Sequence, residues 1–310
     1  MILCYALGGG LGHVARSRAL LHTLGAAAGG RGSGLDGEPV TVLVSTPLGL
    51  DSRALGSWAA MLAPDGAAAS AAALGAWVGE AVARLRPRAV YVDAFAGGVL
   101  GELCGMAWPP GVELCHTARR LRWQRYRRRL GGGPLPAYRR TYVVEPLEEE
   151  HRAALAACSA ELAEVALVDP PERPMARGET SSDKPAAGVA REHAWLVVHS
   201  GPLAEIHQLV AYAADLRRQA GSSAPLVLIA PFRFQEPSAE VVHFDCYPAW
   251  PLFAAAPCIV TACGWNSMRQ TEPHRERHHC LPFPRPLDDQ FKRAARRRRA
   301  AGSRVDEFWS

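Results

Sequence analysis

The chain has 310 residues, a net charge of +5 and a hydrophobic fraction of 48%. This length exceeds the usual size of one domain, so two domains are expected. No apolar run approaches the roughly 20 residues that span a bilayer. The amino terminus has no basic region before its first apolar segment, so we expect a cytoplasmic protein.

The cysteine pattern indicates buried thiols. The chain has eight cysteines, most of them inside apolar stretches and none in a C-x-x-C pair. Free cysteine is among the most buried residue types, and C-x-x-C spacing is the usual signature of structural zinc. We therefore expect free thiols. The histidines near the carboxyl terminus lack a pattern of acidic partners, so we expect neither a metal nor a bound cofactor.

The first half of the chain alternates short apolar runs with amphipathic or alanine-rich stretches. Strands are predicted at 2–7, 40–44, 88–92, 113–116 and 141–144, with helices at 13–28 and 66–86. The second half repeats this pattern, with strands predicted at 194–198, 225–230 and 258–262 and a helix at 205–219. Strands that alternate with helices indicate parallel sheets covered on both faces.

A polar segment separates the two halves. Residues 170–192 are rich in proline, glycine, serine and charged residues, and such a segment cannot bury enough apolar surface to order itself. The predicted domains are an amino-terminal α/β domain at 1–170, a linker at 171–193, a second α/β domain at 194–290 and a carboxyl-terminal helix or tail at 291–310.

A glycine-rich loop, Gly8–Gly12, follows the first predicted strand and leads to His13. A dinucleotide site needs G-x-G-x-x-G and then an acid after the next strand. Here His13 occupies the third glycine position and the second strand ends without an acid, so NAD and FAD are disfavoured. Because a helix start keeps an imidazole neutral, His13 is a candidate general base. A purely structural histidine is the alternative.

Two more residues lie near predicted strand ends, where the ligand crevices of parallel sheets form. Asp93 could orient His13, or it could cap a helix that follows it. His116 is a second candidate for the site, with a packed core histidine as its alternative. The sequence leaves these alternatives open.

The most specific functional signal is Thr261–Gln270. Gly264 follows a predicted buried strand and allows a ligand to approach the main chain closely. Asn266 and Ser267 suit a helix start, where free N–H groups favour a phosphate. The segment therefore predicts a phosphate site.

Two other segments extend this site. Asp289 and Gln290, about twenty residues further on, offer hydrogen bonds to sugar hydroxyls. His199, Ser200 and Gly201 follow the first strand of the second half and form a second candidate wall for a diphosphate. An ordinary strand-to-helix turn is the alternative there. Together the segments suggest a nucleotide-sugar site.

These segments resemble GT-B glycosyltransferases, in particular the UDP-glycosyltransferase group and the bacterial peptidoglycan N-acetylglucosaminyltransferase. Gly264–Ser267 is similar to the diphosphate segment, Asp289 and Gln290 to the sugar-contacting pair, and Gly8–His13 to the glycine-rich loop of the peptidoglycan enzyme. The resemblance implies an α/β chain of two Rossmann-like domains facing across a cleft. It also implies metal-independent, inverting transfer of a sugar from a UDP-linked donor.

The resemblance assigns roles to individual residues. His13 would act as the base, oriented by Asp93. The donor would be bound by His199, Ser200, Gly201, Cys263, Gly264, Asn266, Ser267, Gln270, Asp289 and Gln290. The acceptor-side loop would contain Gly9, Gly10 and Gly12. Tyr247 or Trp250 could lie against the base, but their apolar surroundings favour packing roles for both.

The chain also departs from the family it resembles. Ala262 replaces a histidine that contacts phosphate in many of these enzymes, and Gln270 replaces the usual ribose-binding glutamate. Glu272 could substitute for that glutamate if the helix begins irregularly. These departures leave open a non-catalytic nucleotide-sugar-binding protein. A nucleotide-sugar 2-epimerase with the same fold is a second alternative, although it needs several acids around the sugar and the first half of the chain offers few at its strand ends.

Residues 119–129 contain seven arginines interleaved with aromatic and apolar residues. Such a segment could bind an anionic or lipid-linked acceptor, or provide peripheral contact with a membrane. A solvated helix face is the alternative, and we do not expect nucleic acid as a partner.

Overall fold

The computed structural model describes residues 1–8, 10–27, 37–66, 70–172, 174–176, 193–231 and 241–306. The chain divides into two compact units. The first unit comprises Met1–Pro171 together with Pro286–Asp288, and the second comprises Glu172–Arg285 together with Asp289–Ser310. Most of the predicted linker lies outside the described residues, so its boundaries stay a prediction.

The first unit contains a seven-stranded sheet in the order β3-β2-β1-β4-β5-β6-β7, and every neighbouring pair is parallel. Its strands are β1 (Ile2–Tyr5), β2 (Val40–Val44), β3 (Ala59–Leu62), β4 (Ala89–Asp93), β5 (Glu113–Ala118), β6 (Arg140–Val143) and β7 (Leu162–Glu164). Its helices are α1 (Leu11–Ala27), α2 (Ser52–Leu55), α3 (Ala71–Leu85), α4 (Trp123–Arg127) and α5 (Glu149–Cys158). The predicted parallel sheet is confirmed, whereas β3 and β7 are additional to the prediction.

The second unit contains a five-stranded parallel sheet in the order β11-β10-β9-β13-β14. Its strands are β9 (Trp195–Val198), β10 (Leu226–Ile229), β11 (Val241–Phe244), β13 (Cys258–Ala262) and β14 (His278–Leu281). A separate antiparallel pair joins β8 (Met175–Ala176) to β12 (Cys246–Tyr247). The helices are α6 (Leu203–Gln219), α7 (Trp265–Gln270) and α8 (Gln290–Asp306), with 3-10 segments at Trp250–Ala254 and Glu272–Arg277.

The inner strands β9 and β10 of the second sheet are apolar throughout because both faces of the sheet are buried there. In β10, Leu226 and Leu228 pack into one core cluster, while Val227 and Ile229 pack into another. Successive side chains of a strand point to opposite faces, so the two clusters lie on the two sides of the sheet. Continuous apolar strands are typical of such covered parallel sheets.

Each sheet has one point at which the strand order reverses. In the first unit this point lies between β1 and β4, because β1 pairs with β2 on one side and with β4 on the other. In the second unit it lies between β9 and β13, since β9 pairs with both β10 and β13. Ligands of open α/β sheets bind outside the carboxyl ends of the strands at such points. We therefore expect a ligand site in the loops after these four strands.

Two further observations concern helices that could cross a membrane and the state of the cysteines. Among the described residues, no helix combines the length and the apolarity needed to cross a bilayer. All eight cysteines are free, and five of them are buried, which confirms the expectation of buried thiols.

Candidate functional site

The first polar cluster lies at the reversal point of the first sheet. Asp93 is the last residue of β4, and His13 is the third residue of α1, which follows β1. The Nδ1 atom of His13 lies 2.6 Å from Oδ2 of Asp93, and both residues are buried. Asp93 does not cap a helix, because residues 94–112 are all described and contain none. The structure therefore brings the predicted pair together.

Arg16, which is not among the residues predicted from the sequence, completes this cluster. Its Nε and Nη2 atoms donate to the two carboxylate oxygens of Asp93, each at 2.6 Å. The Arg16 side chain is only 4% exposed, so this bidentate pair is withdrawn from water. Residues three apart lie on the same helix face, and that spacing places Arg16 beside His13. We call His13, Asp93 and Arg16 the first triad.

The electrostatics of the first triad favour a neutral imidazole beside an ionised carboxylate. Burial lowers the pKa of His13, and the hydrogen bond to Asp93 opposes this effect only partly. Burial alone would raise the pKa of Asp93, but the charge of Arg16 and the bond from His13 hold it well below its usual range. A carboxylate only accepts hydrogen bonds, so the Nδ1–H of His13 donates to Asp93. The Nε2 atom is therefore left able to accept a proton.

Close packing fixes the plane of the His13 ring. The ring of Phe95 stacks on it with a centroid separation of 5.6 Å and an interplanar angle of 28°. Ala94, between Asp93 and Phe95, has a φ of +65° in the left-handed region, which turns the chain sharply after β4. Gly8 has a φ of +131°, and a Cβ atom there would lie 2.9 Å from the Phe95 ring. The loop after β1 must therefore carry glycine at this position.

The other predicted loop glycines are placed differently. Gly10 has a φ of +120°, and a Cβ atom there would meet nothing within 4 Å. Gly12 lies inside α1, because the helix begins at Leu11, two residues earlier than expected. Gly9 lies outside the described residues.

His116 is not part of the first triad. It lies inside β5, which extends to Ala118, and it is fully buried. In the β4–β5 register Asp93 aligns with Thr117 and His116 with Val92, so His116 and Asp93 point to opposite faces of the sheet. Burial lowers its pKa to about 4. This placement favours the core-histidine interpretation.

The arginine-rich segment separates into buried and exposed parts. Arg119 is buried, and its Nη1 atom lies 2.5 Å from Oδ1 of Asp288. The side chain of Arg120 is also buried, and its backbone N–H donates to Glu145 at 3.0 Å. The exposed arginines lie on or just after α4, and they are Arg125, Arg127, Arg128 and Arg129. This second group presents its charge to solvent.

The second polar cluster follows β9 at the reversal point of the second sheet. His199 lies between β9 and α6, and its Nε2 atom is 2.8 Å from Oε2 of Glu205 in the first turn of α6. Arg285 donates to both oxygens of Glu205, each at 2.5 Å. We call these three residues the second triad. Ser200 and Gly201 adjoin it, and any side chain on Gly201 would collide with the His199 ring.

The segment after β13 forms the other side of this reversal point. Cys263 is buried, and Gly264 has an extended backbone just before α7. Asn266 and Ser267 fall within the first turn of α7, and Gln270 is the last residue of that helix. The two segments that were predicted to hold a diphosphate thus follow adjacent strands of one sheet.

The proposed replacement for the ribose-binding acid has other partners. Glu272 follows a regular α7, and it pairs with Arg297 and, at 3.4 Å, with Arg275. The irregular helix start on which its ribose role depended is therefore absent, since α7 runs regularly from Trp265.

A buried histidine holds α7 against β13. The Nε2 atom of His278 lies 2.9 Å from Oγ1 of Thr261, and its Nδ1 atom lies 2.9 Å from Oγ1 of Thr271. Thr271 also donates to the backbone oxygen of Ser267 at 2.7 Å. Burial lowers the pKa of His278 to about 3, so the ring is neutral. His278 belongs to a polar run at 273–279, and this contact means that the run supports the α7 segment.

The predicted sugar-contacting pair lies at the start of α8. Oδ1 of Asp289 accepts the backbone N–H of Lys292 at 3.2 Å, which is the bond of a helix cap. Gln290 is 4% exposed, and its Oε1 atom accepts the backbone N–H of Phe283 at 3.0 Å. Part of each side chain thus supports the local fold.

The two aromatic residues suggested for the base have packing partners. Tyr247 belongs to β12, which pairs with β8. Trp250 begins a 3-10 segment and packs against the core cluster that contains Phe253 and Ile259. Within the described part of the chain, no group of three or more His, Cys, Asp or Glu side chains could hold a metal ion.

No protein-family model matches the chain, and no curated protein matches it by sequence. Solved structures do match it over nearly its whole length. The spinosyn forosaminyltransferase SpnP aligns with a TM-score of 0.55 and 12% identity, covering 95% of this chain and 82% of that chain. The glycotransferase of kitacinnamycin aligns with a TM-score of 0.54 and 15% identity, with the same coverage.

A third structure agrees with these two. The glycosyltransferase SsfS6 of Streptomyces sp. SF2575 aligns with a TM-score of 0.52 and 14% identity, covering 97% of this chain and 86% of that chain. The narrower resemblance to the peptidoglycan N-acetylglucosaminyltransferase stays a prediction. Low identity with near-complete coverage shows a shared architecture, and the chain therefore has the two-sheet α/β fold of GT-B glycosyltransferases.

Proposed function

We propose that this protein is a glycosyltransferase that moves a sugar from a nucleoside diphosphate sugar to an acceptor hydroxyl. One observation carries the proposal: on a GT-B fold, each sheet places a polar cluster at the point where its strand order reverses. The first cluster offers a proton acceptor, and the second offers the segments expected to bind a diphosphate. The reaction is metal-independent and inverts the configuration at the sugar carbon.

In this mechanism His13 is the general base. Its Nε2 atom takes the proton of the acceptor hydroxyl as the oxygen attacks the anomeric carbon and the bond to the diphosphate breaks. Asp93 holds the ring by its Nδ1–H and stabilises the imidazolium that forms. Arg16 keeps Asp93 ionised, so that the carboxylate stays an acceptor throughout.

The second unit holds the donor in this proposal. Main-chain and side-chain groups after β9 and β13 bind the diphosphate and stabilise it as the leaving group. The residues concerned are His199, Ser200, Gly201, Cys263, Gly264, Asn266 and Ser267. Gln270 approaches the ribose, and Asp289 and Gln290 contact the sugar.

The donor is a pyrimidine nucleotide sugar, and UDP and TDP are its two candidate carriers. SsfS6 and the spinosyn rhamnosyltransferase SpnG were each solved with thymidine diphosphate. Phytolacca americana UGT2 was solved with UDP-2fluoro-glucose and pterostilbene. These are complexes of the neighbouring structures, and they support a nucleoside diphosphate as a ligand of this chain.

The acceptor is anionic or lipid-linked in this proposal, and the exposed arginines 125, 127, 128 and 129 support it. Peripheral contact with an anionic membrane belongs to the same proposal. Sedimentation with vesicles of phosphatidylserine and phosphatidylcholine tests it. Binding should require phosphatidylserine and should weaken in high salt, because the attraction is electrostatic.

A ligand screen followed by a turnover assay tests the proposed function. UDP, TDP or a sugar conjugate of either should raise the melting temperature, because a ligand that binds only the native state stabilises it. Asn266→Ala should reduce this shift, whereas Gln208→Ala, at an exposed position of α6, should leave it unchanged. An equal response to NAD, or no response to any of these nucleotides, would contradict the proposal.

Labelled UDP- and TDP-sugars then distinguish the reactions. Release of the nucleotide with sugar on an acceptor supports the transferase. Interconversion of the sugar without loss of nucleotide would indicate the epimerase, and binding without turnover would indicate the non-catalytic alternative.

A further inference from the structure

The two triads share one arrangement, and the proposed function gives no role to Glu205 and Arg285 of the second triad. In each, a histidine follows the first strand at a sheet reversal point, a carboxylate binds one ring nitrogen, and an arginine binds both carboxylate oxygens. The first triad supplies a base in the proposed function. The second adjoins the segment proposed to bind a diphosphate, where a base has no use.

The geometry of the second triad fixes which nitrogen of His199 carries hydrogen. Glu205 Oε2 accepts from Nε2 at 2.8 Å, so the neutral ring has its hydrogen on Nε2. Phe283 stacks on the ring at a centroid separation of 5.9 Å, and the side chains of His199 and Glu205 are only 11% and 12% exposed. The neutral ring therefore has a lone pair on Nδ1, which repels a phosphate oxygen. Only the protonated ring offers an N–H at Nδ1.

Burial, more than the charges around it, keeps the His199 ring neutral. Among the residues that the structure describes, the charged groups that face it are Glu205 from α6 and Arg285 from the segment after β14. Burial lowers the pKa of His199, the bond to Glu205 raises it, and Arg285 lowers it again. Because Arg285 neutralises Glu205, the carboxylate alone does not hold a proton on the ring. A bound diphosphate adds the missing negative charge.

We propose, building on the proposed function, that His199 takes up a proton when the diphosphate of the donor binds and then donates its Nδ1–H to a phosphate oxygen. Donor binding is thus linked to proton uptake, and affinity for the nucleotide rises as the pH falls. The slope approaches about ten-fold per pH unit between the two titration midpoints of His199, free and bound. Arg285 and Glu205 act as positioning residues, because they act on the ligand through His199.

Isothermal titration calorimetry tests this linkage. UDP and TDP are titrated into the full chain near neutral pH in two buffers of different ionisation enthalpy, and the difference gives the protons taken up. We expect uptake of up to about one proton per nucleotide. The terminal phosphate of a free nucleotide also exchanges protons, and His199→Gln subtracts that contribution because its amide cannot titrate. Uptake should fall in this variant, and its affinity should depend less on pH.

The outcomes separate the two proposals. If neither nucleotide binds the unmodified protein, the proposed function fails and this inference fails with it. If a nucleotide binds but proton uptake is absent, or is the same in His199→Gln, only this inference is overturned. Glu205→Gln provides a second variant should the first fail to fold. It keeps a hydrogen-bond acceptor but loses the charge that stabilises the protonated ring, so uptake should again fall.

Discussion

Gly8 leaves the space that the His13 ring occupies: a Cβ atom at Gly8 would lie 2.7 Å from Nε2 of His13. The atom that this contact would displace is the proposed proton acceptor. The glycine in the loop after β1 and the base in α1 are therefore linked by a direct steric requirement, in addition to the positive φ of Gly8.

Gly8→Ala should reduce turnover much more than Gly10→Ala. Both positions have a positive φ, so both substitutions carry a backbone strain of about 1–3 kcal/mol. Only the Gly8 substitution also displaces the imidazole, and a base moved by about 1 Å can cost roughly a hundred-fold in rate. Steady-state kinetics on the two variants, with melting temperatures to correct for stability, checks this. Equal losses in both would show that the ring tolerates the contact.

The turnover rate should persist into the acidic range, because His13 should stay a neutral base there. Because the pKa of His13 is lowered from 6.5, the acid limb of kcat against pH should have its midpoint below 6.5. His13→Gln should lower kcat by about 10²–10⁴-fold, the usual contribution of a general base. His22→Gln, on the same helix, is the matched control and should leave the profile in place. A midpoint above 6.5 would be incompatible with a buried base of this kind.

Asp93 should make the free energy of unfolding depend on pH in the acidic range. Its folded pKa lies below the unfolded value of about 3.9, so its contribution is present above that pH and is lost as the pH falls further. Asp93→Asn should lower the free energy of unfolding at pH 7 by about 3–5 kcal/mol, because Arg16 keeps its charge in a buried position. The variant should also lose part of the acid dependence. Urea unfolding at pH 7 and near pH 3 measures both effects.

Asp215→Asn is the control for this prediction. Asp215 pairs with Arg218 at 2.8 Å, but both side chains are more than half exposed. Exposed pairs contribute about 0–1 kcal/mol, so this variant should unfold nearly as the original protein does. Comparable losses in the two variants would mean that burial of the Asp93 pair has little energetic consequence.

Two substitutions at Asp289 should separate its cap from its proposed sugar contact. Asp289→Ala removes both, whereas Asp289→Ser keeps a side-chain oxygen for the N–H of Lys292. Stability should therefore fall by about 1 kcal/mol only in the alanine variant. Binding of a nucleotide sugar should weaken in both variants, while binding of the free nucleoside diphosphate should be unchanged. If the sugar and the free nucleotide respond alike, Asp289 does not contact the sugar.

Most of the central strands could be predicted from sequence, and the remaining strands could not. β2, β10 and β13 are apolar, β-branched runs whose burial on both faces requires that composition. β3 is a half-exposed Ala-Ala-Met-Leu segment, and β14 begins with two histidines, so neither has a strand-like composition. Their pairing with β2 and β13 decides their structure, and such pairing is a tertiary effect that a local pattern does not contain.

The same distinction holds for the candidate site. The contact between His13 and Asp93 could be predicted from the sequence, because both residues come at the ends of strands in a predicted parallel sheet. The role of Arg16 could not be predicted, because nothing in the sequence distinguishes it from the many other arginines. Its spacing from His13 is nevertheless compatible with one helix face. Arg285 is 80 residues from Glu205, and only the folded second unit brings the two together. His116 was considered because β5 was predicted to end two residues too early.

The strand order of the two sheets has an evolutionary consequence. Most of the predicted site residues lie at strand ends, in the loops after them or in the first turns of helices, whereas the inner parts of the strands and the inner helix faces form the cores. Inherited changes in those connections can alter substrate choice while the scaffold persists, and the scaffold itself tolerates exchange of one apolar residue for another. Such a scaffold can keep its architecture while most of its residues change, and 12% identity alongside alignment over 95% of the chain agrees with this separation.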